Sequence, residues 1–169
     1  RVAEKPGFLR NVAAFLAHSG DSWFWFAALF IFWFFSNSFW KHWEVVEFFG
    51  ILGLAGVVLG IKFLVRRKRP EGEWGGIYRN TDPHSFPSGH AARAFLIAVV
   101  GSALAPPWLV TVLWIWAPLV SLARAAMGVH YLSDVIAGAI LGIIVGLVGV
   151  QIYPPMVDWL VSIIRFPLW

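Results

Sequence analysis

The uncharged run from Ala94 to Ala123, AFLIAVVGSALAPPWLVTVLWIWAPLVSLA, decides the fold. As one helix its 30 residues would extend about 45 Å, well beyond a hydrocarbon core of about 30 Å. Two adjacent prolines, Pro106 and Pro107, lie near its middle, and neither has the N–H group that a helix interior needs. The run therefore predicts a helical hairpin, with one helix over about residues 90–105 and the next over about 107–124.

The composition is typical of an integral membrane protein. Of the 169 residues, 59% are hydrophobic and 13% are charged, whereas a soluble domain averages about 25% charged residues. The mean hydropathy is +0.73, and the chain contains 15 Phe and 11 Trp. It contains no cysteine, which excludes disulfides and thiolate metal sites.

Three further apolar stretches predict three more membrane spans. The 19 uncharged residues from Ser22 to Trp40 cover roughly 28 Å as a helix, close to the thickness of the bilayer core. We expect the last span to end before Pro154-Pro155, because prolines stop a helix. The additional spans are predicted at residues 22–40, at residues 44–65 and within the uncharged run 135–157, before its prolines.

The chain is predicted to be one all-α domain, a polytopic transmembrane helix bundle with five to six spans. Its transmembrane core covers residues 22–153, and residues 1–21 and 154–169 form short interfacial segments because they are amphipathic and carry charges. Small residues three or four apart indicate close helix packing inside the monomer, with a dimer face as the alternative. These residues are Gly50, Gly53, Gly56, Gly60, Gly138, Gly142 and Gly146.

The hairpin brings polar residues from separate segments to one face of the membrane. The second span ends at that face, the third begins there, the fourth ends there and the fifth begins there. Ionisable residues that converge at the ends of spans are candidates for a functional site. The converging residues are Lys62, Arg69, Ser88, His90, Arg124, His130 and Asp134.

Three of these residues are suited to binding one dianion. Lys62, Arg69 and Arg124 are cationic, and the planar guanidinium of arginine matches the oxygens of a phosphate group. The turn at Pro87-Ser88-Gly89 leads into the third span, so its free N–H groups and the helix dipole favour an anion. The absence of a side chain at Gly89 lets that backbone come close.

The two histidines indicate proton transfer and nucleophilic attack. His130 and Asp134 are four residues apart, so both can lie on one face of a helix. A carboxylate bonded to one imidazole nitrogen fixes the tautomer and leaves the other nitrogen as a nucleophile. His90 is a second imidazole, able to donate a proton to a leaving oxygen.

Each group also has an ordinary structural interpretation. The basic run 66–68 is typical of the positive charges beside membrane spans on the cytoplasmic side. The His–Asp pair could be a structural hydrogen bond, and the serine of the turn could be only an N-cap. The residues predicted to lie in the loop near the site, without a role in it, are Arg79, Asp82 and His84.

Three motifs now stand in order along the chain. KFLVRRKRP (62–70) has a lysine, six residues and Arg-Pro; PSGH occupies 87–90; RAAMGVHYLSD (124–134) has an arginine, five residues, a histidine, three residues and an aspartate. This pattern resembles the type 2 phosphatidic acid phosphatase superfamily, which also contains vanadium haloperoxidases and glucose-6-phosphatase-like enzymes. Two features depart from it: Ala123 stands where the third motif usually has serine, and the membrane members usually have six spans.

The resemblance implies how the phosphoryl group would be held. Its oxygens would be bound by three side-chain cations, with help from a serine and a backbone N–H group. The resemblance implies neither a metal ion nor a cofactor. The phosphate-binding residues would be Lys62, Arg69, Ser88, Gly89 and Arg124.

The resemblance also implies the catalytic roles. His130 would attack phosphorus and form a phosphohistidine, and Asp134 would orient and polarise it. His90 would protonate the leaving alkoxide and then activate the water that releases phosphate.

The expected activity is metal-independent hydrolysis of a lipid phosphate monoester, such as phosphatidic acid or a phosphatidylglycerophosphate-like lipid. The expected partners are that substrate and membrane lipids, without nucleic acid; an oligomer is compatible with the sequence but not indicated by it. A prenyl diphosphate, such as undecaprenyl diphosphate, is the alternative substrate. A haloperoxidase fits poorly because those relatives are soluble, and the presence of both histidines disfavours a non-catalytic relative.

The expected location is the plasma (inner) membrane of a prokaryote. The basic loop residues accumulate on the face that carries the site, and positive charge in short loops marks the cytoplasmic side. The resemblance implies the opposite, because bacterial membrane members of the family mostly have outward-facing sites. The charge distribution slightly favours the cytoplasmic face.

Overall fold

The computed structural model describes residues 2–71 and 82–164, which are mostly helical. A short 3₁₀ turn at Val2–Glu4 precedes six α-helices. The predicted loop residue Arg79 and the C-terminal residues 165–169 lie outside the described part. The helices are α1 (Phe8–Ser19), α2 (Ser22–Phe35), α3 (Ser38–Val65), α4 (Gly89–Leu104), α5 (Pro107–Ala126) and α6 (Leu132–Ile164). The predicted all-α helix bundle is confirmed.

The predicted hairpin joins α4 to α5. Helix α4 ends at Leu104, and α5 begins at Pro107, where a missing N–H group costs no helical hydrogen bond. Helix α4 lies in the centre of the bundle, packed against α3, α5 and α6. The N-terminus of α4 therefore meets the end of α3, the end of α5 and the start of α6.

Helix α6 approaches α4 very closely. A Cβ atom added to Gly142 would collide with the backbone of Ala92, and one added to Gly138 would collide with the carbonyl of Ser88. Only glycine allows the two helices to come this close. The glycines of α6 therefore pack within the monomer, as predicted. Gly56 on α3, by contrast, has no such neighbour within 4 Å.

The first predicted span is shorter than expected. Helix α2 ends at Phe35 instead of continuing to Trp40, and its 14 residues extend about 21 Å. Asn37 ends the run because its side chain accepts a hydrogen bond from the Trp40 N–H and caps α3. Helix α3 therefore begins at Ser38, before the predicted start at residue 44.

The last predicted span is longer than expected. Helix α6 continues through Pro154-Pro155 to Ile164, so the expected helix end before these prolines is wrong. The φ angle of proline is compatible with a helix, and the cost is the loss of N–H donors. Val157, just beyond the prolines, is fully buried in the main core, which holds the continuing helix against the bundle.

Three of the described helices, α3, α5 and α6, are long and apolar enough to cross a membrane. Helices α2 and α4 are shorter apolar helices of 14 and 16 residues. Helix α1 exposes large apolar side chains, including Phe8 at 80% and Phe15 at 73%. The other side of α1 packs on α5 through Ala17 and Ala123. This two-sided character is what an interfacial helix requires.

Candidate active site

The predicted site residues come together at one end of the bundle, around the N-terminus of α4. Lys62 comes from the last turn of α3 and Arg124 from the last turn of α5. Asp134 lies in the first turn of α6. His130 lies in the link between α5 and α6, and Arg69 follows α3. All five side chains are buried.

A cavity of about 220 Å³ opens between α3 and the N-terminal end of α4. Its lining has two parts. One part is polar and consists of Ser22, Lys62, Asp82, His90, Arg93 and His130, beside Gly89. The other part is an apolar wall from α3, formed by Ile51, Leu54, Ala55, Val58 and Leu59.

The hydrogen bonds of His130 define its tautomer. Its Nε2 atom lies 3.1 Å from a terminal nitrogen of Arg69. Arginine can only donate, so Nε2 accepts in the neutral imidazole, and the proton is assigned to Nδ1. A neutral His130 therefore keeps the lone pair of Nε2 on the side of the cations, where an anionic substrate would be held.

Asp134 lies on the other side of this imidazole. Its carboxylate is 3.7 Å from Nδ1 of His130, a distance suited to charge attraction but too long for a hydrogen bond. Asp134 is fixed by other contacts: it accepts from Arg67 at 2.8 Å and from the Tyr131 N–H at 3.0 Å. If the distance between the Asp134 carboxylate and Nδ1 shortened by less than 1 Å, the two groups would form the predicted hydrogen bond.

The surroundings of His130 favour its neutral form. Burial is the largest cause, and it lowers the pKa of His130 from 6.5 to about 4. The cations Arg124, Arg69 and Lys62 act in the same direction, while Asp134 opposes them. His130 is therefore neutral at neutral pH, and its Nε2 lone pair can attack an electrophile once the contact with Arg69 is released.

Asp82 occupies the position between two of the predicted phosphate-binding cations. Its carboxylate forms ion pairs with both Lys62 and Arg69. Two backbone carbonyls of the same loop also bind these cations. The carbonyl of Asp82 accepts from Arg69 at 2.7 Å, and the carbonyl of His84 accepts from Lys62 at 3.1 Å. The two cations are therefore arranged around an anionic oxygen, here supplied by the protein itself.

His90 is held by a carboxylate from the other end of the chain. Its Nε2 atom lies 2.5 Å from Oδ1 of Asp21, the residue that precedes α2. Although burial raises the pKa of Asp21, its contacts with His90 and His18 outweigh this and lower it below its usual value. Arg93, one turn further along α4, donates to the carbonyl of Gly20 and holds the same link in place.

The remaining predicted phosphate ligands differ in their placement. Arg124 is 1% exposed and acts electrostatically on both His90 and His130. Gly89 lines the cavity. Ser88 is fully buried, and its hydroxyl accepts from the Ala91 N–H at 3.4 Å, which caps α4. The structure thus shows Ser88 as the N-cap of α4, which is the structural role that the sequence offers as the alternative to a phosphate contact.

Sequence reasoning missed several polar residues at this site. Arg93 could have been found, because it follows His90 by three residues and a helix brings both to one face. Arg67 belongs to the basic run that is typical of charges beside a membrane span. Asp82 falls in the predicted loop, and no local pattern links Asp21 to a histidine 69 residues away.

A comparison with protein-family models identifies this arrangement. The model of the PAP2 superfamily matches residues 44–157, which include all three motifs. The chain belongs to the PAP2 superfamily. The predicted family is therefore confirmed, and the cluster of two histidines and three cations in this PAP2 protein lies inside the matched region.

Two curated relatives are phosphatases by name. The chain is 32% identical to lipid A 1-phosphatase of Porphyromonas gingivalis over 115 residues, which cover 65% of this chain and 24% of that protein. It is 37% identical to decaprenylphosphoryl-5-phosphoribose phosphatase of Mycobacterium tuberculosis over 108 residues, covering 63% of this chain and 58% of that protein. The chain thus spans only part of the length of these relatives.

A solved structure has the same fold. The crystal structure of LpxE from Aquifex aeolicus superposes with a TM-score of 0.66 at 27% identity, covering 89% of this chain and 90% of that one. The similarity extends over the helices outside the matched family region. Together with the long apolar helices, it identifies this PAP2 protein as an integral membrane protein.

Proposed function

We propose that this protein is a metal-independent phosphatase that hydrolyses a lipid phosphate monoester, such as phosphatidic acid or a phosphatidylglycerophosphate-like lipid. The observation that carries this proposal is the two-part lining of the cavity, with histidines and cations at one end and an apolar wall from α3 beside them. A phosphate head would lie against the cations while its lipid tail extends along α3. The names of the relatives support the same reaction class.

The first half of the reaction would form a phosphohistidine. The Nε2 lone pair of His130 attacks phosphorus, and the bond from phosphorus to the lipid oxygen breaks. The lipid oxygen leaves with the electron pair and takes a proton from His90. Asp134 stabilises the positive charge that develops on the imidazole of His130, from its position 3.7 Å away.

The second half would release inorganic phosphate. Having lost its proton, His90 accepts one from a water molecule whose oxygen attacks phosphorus. The bond between phosphorus and Nε2 breaks, and its electron pair returns to His130. Both histidines are then restored, so the cycle is balanced without an oxidant, a reductant or a metal ion.

Binding of the substrate would require Asp82 to give up its position. The carboxylate of Asp82 and a phosphate group would compete for the same two cations, Lys62 and Arg69. Arg124 would supply the third positive charge. Ser88 would contribute through the end of α4, which it caps, and Gly89 through its backbone N–H group.

A polyprenyl phosphate or diphosphate is the second candidate substrate. The M. tuberculosis relative is named for a decaprenyl lipid, and an apolar wall of aliphatic side chains suits a prenyl tail as well as an acyl tail. We propose the plasma membrane of a prokaryote as the location, and this location is compatible with either substrate.

The experiment that tests the proposal is phosphate release by the purified full-length chain from a matched panel of lipids. The panel contains phosphatidic acid, phosphatidylglycerophosphate, undecaprenyl phosphate and undecaprenyl diphosphate, with the corresponding phosphodiesters as controls. We expect release from at least one phosphomonoester or diphosphate, and an acid-labile phosphoryl group on wild-type protein that His130→Ala lacks. Release from no member of the panel would refute the proposal.

A further inference from the structure

A second group of buried polar atoms lies far from the proposed catalytic cavity. Within the described residues, buried side-chain polar atoms without a hydrogen-bond partner occur at the first half of α3, on Trp43, Glu44 and Glu47. Glu44 precedes Lys62 by 18 residues on the same helix, which corresponds to roughly 27 Å. These atoms therefore lie near the opposite membrane face and take no part in the proposed reaction.

Glu44 lies between two cavities. The larger one, of about 440 Å³, lies between α2, α3 and the start of α5, and the smaller one, of about 270 Å³, lies between α2 and α3. The volume of the larger cavity is usual for a small-ligand site. The larger cavity is lined by aromatic rings, among them Trp25, Trp40, Trp43 and Trp108, with Glu44 and Ser36 as its polar groups.

Two neighbouring side chains offer this cavity one acceptor and one donor. Glu44 is 4% exposed; its Oε1 accepts from the Ser36 hydroxyl at 2.6 Å, and its Oε2 has no partner. Trp43 is 7% exposed, and its indole N–H has no partner either. Buried polar groups nearly always have hydrogen-bond partners, so an acceptor and a donor without partners, on two residues that line the same cavity, indicate that a ligand binds there.

The chemistry of the lining selects a cationic organic group. Aromatic faces attract ammonium groups, and the structure shows one such contact beside the smaller cavity, with the Lys41 ammonium 4.9 Å from the centre of the Trp33 ring. A divalent metal ion would need several oxygen ligands. The described residues contain no cluster of three or more His, Cys, Asp or Glu side chains that could supply them.

We propose that the cavity between α2, α3 and α5 binds the headgroup of a zwitterionic amine phospholipid. The ammonium group lies against the tryptophan rings and bonds to Oε2 of Glu44. An oxygen of the phosphodiester accepts from the indole N–H of Trp43. Phe32 and Trp108, which line the same cavity, are 62% and 66% exposed, so the headgroup enters from the lipid side.

This site is independent of the proposed phosphatase activity, and its test uses binding alone. The full-length protein is purified and mixed with phosphatidylethanolamine, phosphatidylcholine, phosphatidylglycerol or N-acetylated phosphatidylethanolamine, all with the same acyl chains. Lipid retention is measured by native mass spectrometry. N-acetylation converts the ammonium group of phosphatidylethanolamine into a neutral amide and leaves the rest of the lipid unchanged, so this comparison requires no protein variant.

We expect the wild-type protein to retain phosphatidylethanolamine at least about tenfold better than its N-acetylated form, the usual effect of one hydrogen bond between charged groups. Glu44→Gln should remove this preference, because it keeps the size of the side chain and loses its charge. Trp43→Phe should weaken retention. Glu47→Gln is the matched control: it removes a buried carboxyl that lines neither cavity, and should change nothing.

The result for phosphatidylcholine shows whether the ammonium group is bound mainly by the aromatic rings or by hydrogen bonds to Glu44. Retention equal to that of phosphatidylethanolamine indicates that the aromatic rings dominate, whereas weaker retention indicates N–H donation to Glu44; both results support the site. Equal retention of all four lipids by the wild-type protein would overturn it, since the cavity would then hold acyl chains only. A preference that persists unchanged in Glu44→Gln would overturn it as well.

Discussion

The contact between Asp21 and His90 makes a sharp prediction about pH dependence. In the proposed reaction His90 has to be protonated when the lipid alkoxide leaves, yet burial disfavours a positive charge on its imidazole, and the nearby cations Arg124 and Arg93 act in the same direction. Asp21 is the carboxylate in contact with His90, and it favours the protonated imidazole against these effects. Asp21→Asn should therefore weaken general-acid catalysis while leaving the nucleophile, His130, intact.

The size of the effect follows from the geometry. The Nε2–Oδ1 distance is 2.5 Å, and both side chains are 16% exposed. A hydrogen bond to a charged group contributes about 1.5–3 kcal/mol, and one pH unit corresponds to about 1.4 kcal/mol. Removal of the carboxylate charge should therefore move the alkaline limb of the activity profile to lower pH by roughly one to two units.

The assay is the pH dependence of kcat/KM for phosphate release, which reports the groups of the free enzyme. The acidic limb belongs to His130, whose pKa is about 4; activity should rise as pH increases through that value, because the neutral imidazole attacks. Asp21→Asn should leave this limb in place. The control is Asp158→Asn, which alters an Asp–His contact with His42, 3.5 Å long, outside the catalytic cavity. If Asp21→Asn shifts neither limb, Asp21 does not act through His90.

Further predictions concern the nucleophile, the phosphate-binding cations and the helix packing. His130→Ala should abolish phosphate release, and His90→Ala should lower turnover about 100-fold or more, the usual contribution of a positioned acid–base group. Asp82→Asn should lower the inhibition constant of vanadate several-fold, because an anionic competitor for the cations is removed, and a chelator should leave activity unchanged. Gly142→Ala should destabilise the fold by about 1–3 kcal/mol, as overpacking does, whereas Gly56→Ala should not.

Each of these results has a measurement that could contradict it. Circular dichroism has to show intact helices in the histidine variants before their activity is interpreted, and wild-type turnover in His130→Ala would refute the mechanism. Weaker vanadate inhibition in Asp82→Asn would mean that its carboxylate organises the cations and does not compete with the anion. Equal thermal stability of the two glycine variants would contradict the close approach of α6 to α4.

The sequence predicts the parts of this fold that depend on local chemistry. The hairpin at Pro106-Pro107 follows from two missing N–H groups in a run too long for one span, and it brings the motif residues to one end of the bundle. Asn37 is a local signal against the predicted single span 22–40, because an N-cap residue inside an apolar run divides the run into two helices. The continuation of α6 past Pro154 could not be predicted, because burial of Val157 outweighs the proline signal.

The position of Asp21 shows why the rest of the site required the structure. The position of Asp21 depends on the packing of α1 against α5, where Ala17 belongs to a small hydrophobic cluster separate from the main core. Gly20 lets the α1–α2 link come close to α4 and α5: a Cβ atom there would lie 2.9 Å from Val120 and 3.4 Å from His90. No periodicity encodes such a meeting of two distant segments, because each segment is locally compatible with many arrangements. A carboxylate that lies beside His90 through tertiary packing alone leaves no motif in the sequence, and only the fold can reveal it.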